Sequence, residues 1–326
     1  MLHVTNGDCA ADVLRAAALE GAILPWRDVL HEGPVPAGLS LAELSGVRGR
    51  FLASLGWLDE SEALRLFAER DATLAAAAVR DEVVLWFEHD LYDQLQLVQL
   101  LDYFADAPRS TTPRVVCVAE YLGEASAARL RELFPARAAA SDRQLDLGRR
   151  AWAALRSPDP RDVAALLDED TSALPFLAAA LRRHLEQLPS LHNGLSRSEE
   201  QALRAIASGA TRLRDAFVEA QRPEEARFLG DASFALYLER LSAGAPLVLL
   251  ADGGRVVAPR SPGAHPSFWD ATAALTDAGR AALAGARDRV RADGVDRWLG
   301  GVHLEGREVR WRWDADTRRL RDMEEG

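Results

Sequence analysis

The 326-residue chain contains no lysine; all 39 of its basic residues are arginine. Without that amine there is no Schiff base to pyridoxal phosphate, no Walker-A lysine for a nucleotide's phosphates and no strand lysine of the protein-kinase kind. A GC-rich genome accounts for such a bias, so the absence excludes chemistry without pointing to any. Cysteine is scarce as well. Cys9 and Cys117 lie beside strand-like segments with no CxxC spacing, which fits small buried thiols and excludes a disulfide scaffold or zinc ribbon. No apolar run approaches the ~18 residues of a membrane span, and the start MLHVTNGD shows no basic region ahead of a long apolar one. The expectation is a cytoplasmic protein with no membrane partner. Intact catalytic signatures are missing too: there is no GxSxG and no HExxH, and NGDCAA is not the GxGxxG of a dinucleotide site.

What is present has globular proportions, with 48% hydrophobic and 27% charged residues and enough length for two domains. The net charge of −11 is uneven, because residues 1–150 carry 23 acidic and 15 basic side chains and residues 151–326 carry 27 and 24. That balance disfavours DNA as a partner, since a duplex-binding surface is normally basic.

Residues 1–150 read as an α/β domain. LHVT, GAILPW, EVVLWFE and RVVCVAEY are short apolar runs separated by stretches of helical spacing, and the continuous hydrophobicity of VVLWF and VVCVA implies burial on both sheet faces. A parallel sheet of at least four strands flanked by helices follows. Ser40 with Glu43 forms a capping box ahead of a helix at Leu41, and Asp90 with Asp93 opens another helix. After the turn-rich SPDPRD, residues 151–190 read as a connecting region in which TSALPFLAAALRRHLEQLPS is one helix closed by Pro189. Residues 191–326 then give a mainly helical, winged-helix-like second domain. It has three helices (the first capped by Ser196 and Glu199), a hairpin in PLVLLADGGRVVAP, a further helix and a closing hairpin in VHLEGREVRWRWD. In the last strand Val309, Trp311 and Trp313 share one face, and Arg310 and Arg312 the other.

Ligands of open parallel sheets bind beyond the carboxyl ends of the strands, and here every exit is polar. The first strand runs into Asn6, Gly7 and Asp8; the second into Trp26, Arg27, Asp28, His31, Glu32 and Gly33; the third into Glu88, His89 and Asp90; the fourth into Glu120 and Tyr121. Seven carboxylates (Asp8, Asp28, Glu32, Glu88, Asp90, Asp93 and Glu120) face one nearby arginine and two histidines. A bare phosphate would be repelled there. Two arrangements resolve the charge: a divalent metal such as Mg, Mn or Zn, or carboxylates that raise one another's pKa until one serves as a general acid. Asp8, His31, Glu32, His89 and Asp90 are the candidate catalytic groups, with Asp8, His31 and His89 as the metal-ligand set. Asn6, Gly7, Trp26, Arg27 and Glu120 are the candidate substrate contacts. Several have a structural alternative: Asp8 and Asp90 as helix caps, Trp26 as packing, His31 and His89 as hydrogen-bonded core histidines. His3, inside a strand, reads as structural.

VTNGDCAADVL, LPWRDVLHEGPVP and LWFEHDLYDQLQLVQLL together resemble the bacterial family called domain of unknown function 1835, over roughly the first 125 residues. Similar proteins often carry a C-terminal part with a segment like NGLSRSEEQAL, found here at Asn193 to Leu203. The resemblance implies the domain boundary and the motif positions but no reaction. Three readings of function remain open. One is a metal-assisted or acid–base hydrolase or transferase acting on a nucleotide-like or phosphorylated small molecule. Another is a ligand-sensing regulator whose second domain touches DNA through Arg212, Arg214 and Arg222, although residues 196–326 hold 20 basic and 21 acidic groups. The third is a non-catalytic adaptor whose second domain binds protein or a second copy of itself.

Overall fold

The computed structural model describes residues 1–79, 81–106, 112–261 and 265–324. The chain divides into two compact units, the first formed by Met1–Ser54, Asp59–Arg182 and Gly300–Val302, the second by Leu55–Leu58, Arg183–Leu299 and His303–Gly326. Among the described residues no helix is long and apolar enough to cross a membrane.

In chain order the first unit contains β1 (Leu2–Thr5), α1 (Asp8–Ala17), β2 (Ala22–Pro25), the two-residue β3 (Gly33–Pro34), α2 (Leu41–Ser54), α3 (Glu60–Ala78), β4 (Val83–Phe87), α4 (Leu91–Asp106), β5 (Arg114–Cys117), α5 (Ala127–Leu133), β6 (Ala138–Ala139), α6 (Asp142–Arg156) and α7 (Arg161–Leu166). Its sheet has the order β2-β1-β4-β5-β6. The four strands expected from the apolar runs are mutually parallel, and only the short edge strand β6 is antiparallel. All five residues of β4 are fully buried, which explains why VVLWF shows no alternation. On one face, α1 and α5 contribute Ala10, Leu14 and Leu130 to a cluster with Val84, Trp86 and Val116. α4 is buried on nearly every side, and it packs against α6 so closely that a Cβ at Gly148 would stand 2.4 Å from the Leu101 Cβ. Helix starts follow the sequence: Ser40 and Glu43 exchange the bonds of a capping box. His3 is structural, its ring nitrogens meeting the Trp86 indole N–H and the Glu20 carbonyl.

The unit does not end at residue 150. α6 runs through that position, and the border falls inside α8 (Leu177–Leu185). The long helix expected over 171–190 shrinks to α8, because Pro175 cannot donate to a helical ladder and the residues before Leu177 form separate turns.

The second unit continues with α9 (Arg197–Ala207), α10 (Leu213–Gln221), α11 (Asp231–Ser242), β7 (Val248–Leu250), α12 (Pro266–Asp270), β8 (Ala273–Leu275), α13 (Asp277–Leu283), α14 (Arg289–Asp293), β9 (Val295–Gly300), β10 (Val302–Gly306), β11 (Trp311–Asp314) and β12 (Arg319–Asp322). The capping box at Ser196 and Glu199 is present, and three helices precede the first strand as expected. The hairpins differ from the sequence reading. The DGG segment does turn, with Leu250 N–H donating to the Gly254 carbonyl, but β7 pairs with β8 instead of with RVVA. Val256 is instead buried, its N–H on the Ser242 hydroxyl. At the C-terminus β9 neighbours β10 and β11 pairs with β12, so the single closing hairpin is two. Val309, Trp311 and Trp313 are buried as one face, and Arg312 is buried on the other, held by Asp288 and the Ser190 carbonyl.

Candidate acid–base site at the strand exits

The sheet order places β2 on one side of β1 and β4 on the other, so the chain's crossover direction reverses between β1 and β4. The carboxyl ends of those two strands form the switch point at which open α/β sheets hold ligands. Asn6 follows β1, and Glu88, His89 and Asp90 follow β4 directly. Asp93, one turn into α4, returns to the same place because residues three apart share a helix face.

Asn6 ties these groups together. Its side-chain amide donates to Asp93 Oδ2 at 2.7 Å and to Glu88 Oε1 at 3.3 Å. The Leu122 backbone N–H, in the loop after β5, donates to the same Glu88 oxygen at 2.7 Å. Asp93 Oδ1 accepts from the Glu88 backbone N–H at 2.8 Å, and Asp90 Oδ1 accepts from the Asp93 N–H at 3.0 Å. Asp90 thus caps α4, as its spacing suggested, and also belongs to the cluster. Glu88, Asp90 and Asp93 are all buried, with one carboxylate oxygen of each lying within 4.8 Å of the others.

Such crowding has an electrostatic consequence. Burial pushes the Glu88 carboxyl up to about 7 against three backbone and side-chain donors that favour its charge, those of Leu122, Asn6 and Gly123. Burial, with the Glu88 charge adding to it, also raises Asp90 to about 7. Asp93 is raised well above the ordinary aspartate range, first by burial and then by the charges of Asp90 and Glu88. Near neutrality the three carboxyls therefore keep a proton among them or require a cation. Their oxygens fit the second condition also, since two donors at ~2.0 to 2.6 Å from one ion stand up to about 5 Å apart. Gln94 lies under the cluster, its Nε2 on the Glu88 carbonyl at 2.6 Å and its buried Oε1 without a hydrogen-bond partner among the described residues.

The other predicted residues lie around this centre in different roles. Asp8 begins α1, but Gly7 is the cap and makes no side-chain bond; Asp8 is exposed and pairs with Arg27 at 2.6 Å, which holds its carboxyl below the usual range. Arg27 takes a left-handed backbone (φ 48°), a strained conformation for a side-chain-bearing residue at the exit of β2. His31 is buried edge-on to the Tyr92 ring, and Tyr92 in turn donates to the Asn6 carbonyl at 3.2 Å. His89 sits half-buried between Tyr121 and Phe176, with burial lowering its pKa. Asp8, His31 and His89 do not form a metal-binding group; among the described residues the one such group is Glu88, Asp90 and Asp93. Glu120 is at the surface, bound by Arg129 at 2.6 Å. Trp26 is buried, its indole N–H on Gln99 Oε1 at 2.7 Å and the Arg70 guanidinium 3.8 Å from its ring centre, so it packs instead of facing a ligand. Glu32 is buried as well, and its carbonyl accepts from Arg48 Nη1 at 2.7 Å.

Arg48 is the residue the sequence reading passed over. From α2 its guanidinium reaches Asp28 Oδ1 at 2.8 Å and the Val29 carbonyl at 3.0 Å in addition to Glu32, and both charged partners are fully buried. WRDVLHEGPVP is therefore a loop wrapped on a buried cation, with Gln96 bonding the Asp28 carbonyl and Arg70 the Trp26 carbonyl. A signal was present: Leu44, Arg48 and Leu52 recur every four residues on one apolar stripe.

No protein-family model matches the chain, and no curated protein matches it.

Proposed function

We propose that the first unit is an enzyme domain that performs acid–base or metal-assisted hydrolysis or group transfer on a small molecule at the exits of β1 and β4. Glu88, Asp90 and Asp93 are its working groups and Asn6 the residue that orients them. The bridge from the Asn6 amide to Glu88 and Asp93 across the switch point carries this reading, because it places a buried carboxyl cluster where this architecture binds ligands. A carboxyl held protonated near pH 7 donates a proton to a leaving group; an ionised neighbour accepts one from the attacking group. A phosphorylated or nucleotide-like substrate additionally needs a divalent cation held by the three carboxylates, since their negative charge otherwise repels phosphate. The motifs that resemble the domain of unknown function 1835 family supply Asn6, Glu88 and Asp90, so membership in that family is part of the proposal.

For the second unit, the order α9, α10, α11, β7, β8 and the bridge between Arg212 and Thr272 support a winged-helix reading. α11 occupies the place of the helix that would enter a DNA groove. Ser233 to Leu238 are all buried, Ala235 and Leu236 pack with Leu55, Trp57 and Trp269, and the exposed start of the helix is acidic Asp231. That arrangement favours contact with protein, or with a second copy, over DNA.

Thermal unfolding with and without Mn²⁺ tests whether the cluster takes a metal. The site account predicts that Mn²⁺ raises the Tm at pH 8 and has little effect at pH 5, where the carboxyls are protonated, and that Asp93→Asn removes the gain. An equal gain at both pH values, or one untouched by Asp93→Asn, would place the ion elsewhere. No gain at pH 8 would remove the metal arm and leave acid–base chemistry.

A further inference from the structure

A substrate that reacts at the buried carboxyls also has to be held, and the exit of β2 supplies a cation for that. Among residues 6–9, 26–33 and 88–90, which follow β1, β2 and β4, Arg27 is the one arginine. Its backbone N–H donates to the Asn6 carbonyl at 3.1 Å, and the same oxygen accepts from the Tyr92 hydroxyl at 3.2 Å. The Asn6 side chain holds Glu88 and Asp93. One residue thus joins Arg27 to the working groups.

The guanidinium stands at the surface, folded onto Asp8. Its Nε lies 3.1 and 3.0 Å from the two carboxylate oxygens and its Nη2 2.6 Å from one of them, while Nη1 makes no hydrogen bond to a described residue. The Arg27 and Asp8 side chains are 51% and 60% exposed. An exposed ion pair contributes at most about 1 kcal/mol, whereas a left-handed backbone at a residue with a Cβ costs roughly 1–2 kcal/mol. The pair alone does not offset the φ of 48° at Arg27. The Arg27 pKa is raised, first by the Asp8 hydrogen bond and in smaller part by Tyr92, so the guanidinium lies within electrostatic reach of the hydroxyl that bonds Asn6.

We propose that Arg27 anchors the substrate of the acid–base site by taking an oxyanion group, phosphate or carboxylate, in exchange for Asp8, which acts as a latch that the anion displaces. The inference rests on reading the first unit as an enzyme domain. A guanidinium fork meets either anion with two parallel N–H bonds. The exchange leaves the guanidinium paired throughout, and Asp8, already exposed, returns to water at little cost. Neutral analogues cannot displace Asp8, so the latch selects charged substrates.

Titration of the metal-free full chain at pH 7 with inorganic phosphate and, separately, with acetate tests it. The readouts are the ¹⁵N–¹H cross peaks of the Arg27 Nε–H, assigned by its loss in Arg27→Gln, and of the Gly7 backbone amide. Both peaks shift saturably, with a dissociation constant on the order of 1–10 mM for the better anion. Tighter phosphate marks a phosphoryl group on the substrate, and tighter acetate marks a carboxylate. Asp8→Asn tightens binding about fivefold, the factor that an exposed ion pair is worth at its upper limit, and Arg27→Gln abolishes the Gly7 shift. Three results would overturn the proposal: shifts that stay linear for both anions, binding that is unchanged or weaker in Asp8→Asn, or a Gly7 shift that survives Arg27→Gln. The readout involves neither turnover nor a metal, so its failure is distinct from failure of Glu88, Asp90 and Asp93 to hold a proton.

Discussion

Replacing Arg48 by leucine lowers the free energy of unfolding by about 3–5 kcal/mol, the cost of leaving a buried carboxylate without its partner. Asp28 then loses its hydrogen-bonded cation, and the carbonyls of Val29 and Glu32 lose their donor in the same step. Arg48→Lys recovers little, because a single ammonium cannot span the Asp28 carboxylate and two carbonyls at once. The double replacement of Arg48 by leucine and Asp28 by asparagine is less destabilised than Arg48→Leu alone, since the buried charge has gone as well. Urea denaturation midpoints at constant slope measure all three. A loss below 1 kcal/mol for Arg48→Leu would mean that the loop rests on its apolar contacts and not on this ion pair.

The carboxyl cluster's contribution to stability falls as pH rises from about 4 to about 8. The carboxyls of Glu88 and Asp90 are raised from ordinary values near 4 to about 7. Below pH 4 both states hold the protons and the groups cost nothing. Between 4 and 7 the unfolded chain releases protons that the folded chain keeps, so the folded state is progressively disfavoured, and above 7 the cost is complete. A shift of this size corresponds to something on the order of 3 kcal/mol for each group that bears it. Carboxyls held down by arginines, such as Asp8 and Glu82, have the opposite dependence and lose stability as pH falls. The comparison that isolates the cluster is therefore Glu88→Gln against the parent chain. The variant gains stability relative to the parent at pH 8 and not at pH 4. Parallel curves for the two proteins would show that Glu88 is not raised.

Much of the first unit was legible in the sequence, and the reasons are local. VVLWF and VVCVA announce strands buried on both faces, and S-x-x-E at Ser40 and Ser196 announces helix starts that the structure shows bond for bond. The second unit's hairpins were not legible in this way. β7 finds its partner more than twenty residues on, at β8, and a turn signal such as DGG fixes a chain reversal without fixing what pairs. The site was half legible. All three carboxylates of the cluster lie in the acidic set at the strand exits, but the metal-ligand set Asp8, His31 and His89 is not what the fold assembles. Side chains alternate across a strand end, so Glu88 and Asp90 return to one side while His89 turns toward Tyr121 and Phe176. Arg27 accounts for Asp8, a pairing made by the left-handed backbone at Arg27 that residue spacing does not reveal.

The central claim is that Glu88, Asp90 and Asp93 hold a proton at neutral pH as one cluster at the exits of β1 and β4. Carboxyl ¹³C chemical shifts of glutamate- and aspartate-labelled protein, followed from pH 3 to pH 9 and assigned with Glu88→Gln and Asp93→Asn, test it directly. The account predicts at least two carboxyls titrating together near pH 7, both altered by either substitution. Titration of all three below pH 5, each indifferent to the loss of another, would contradict it.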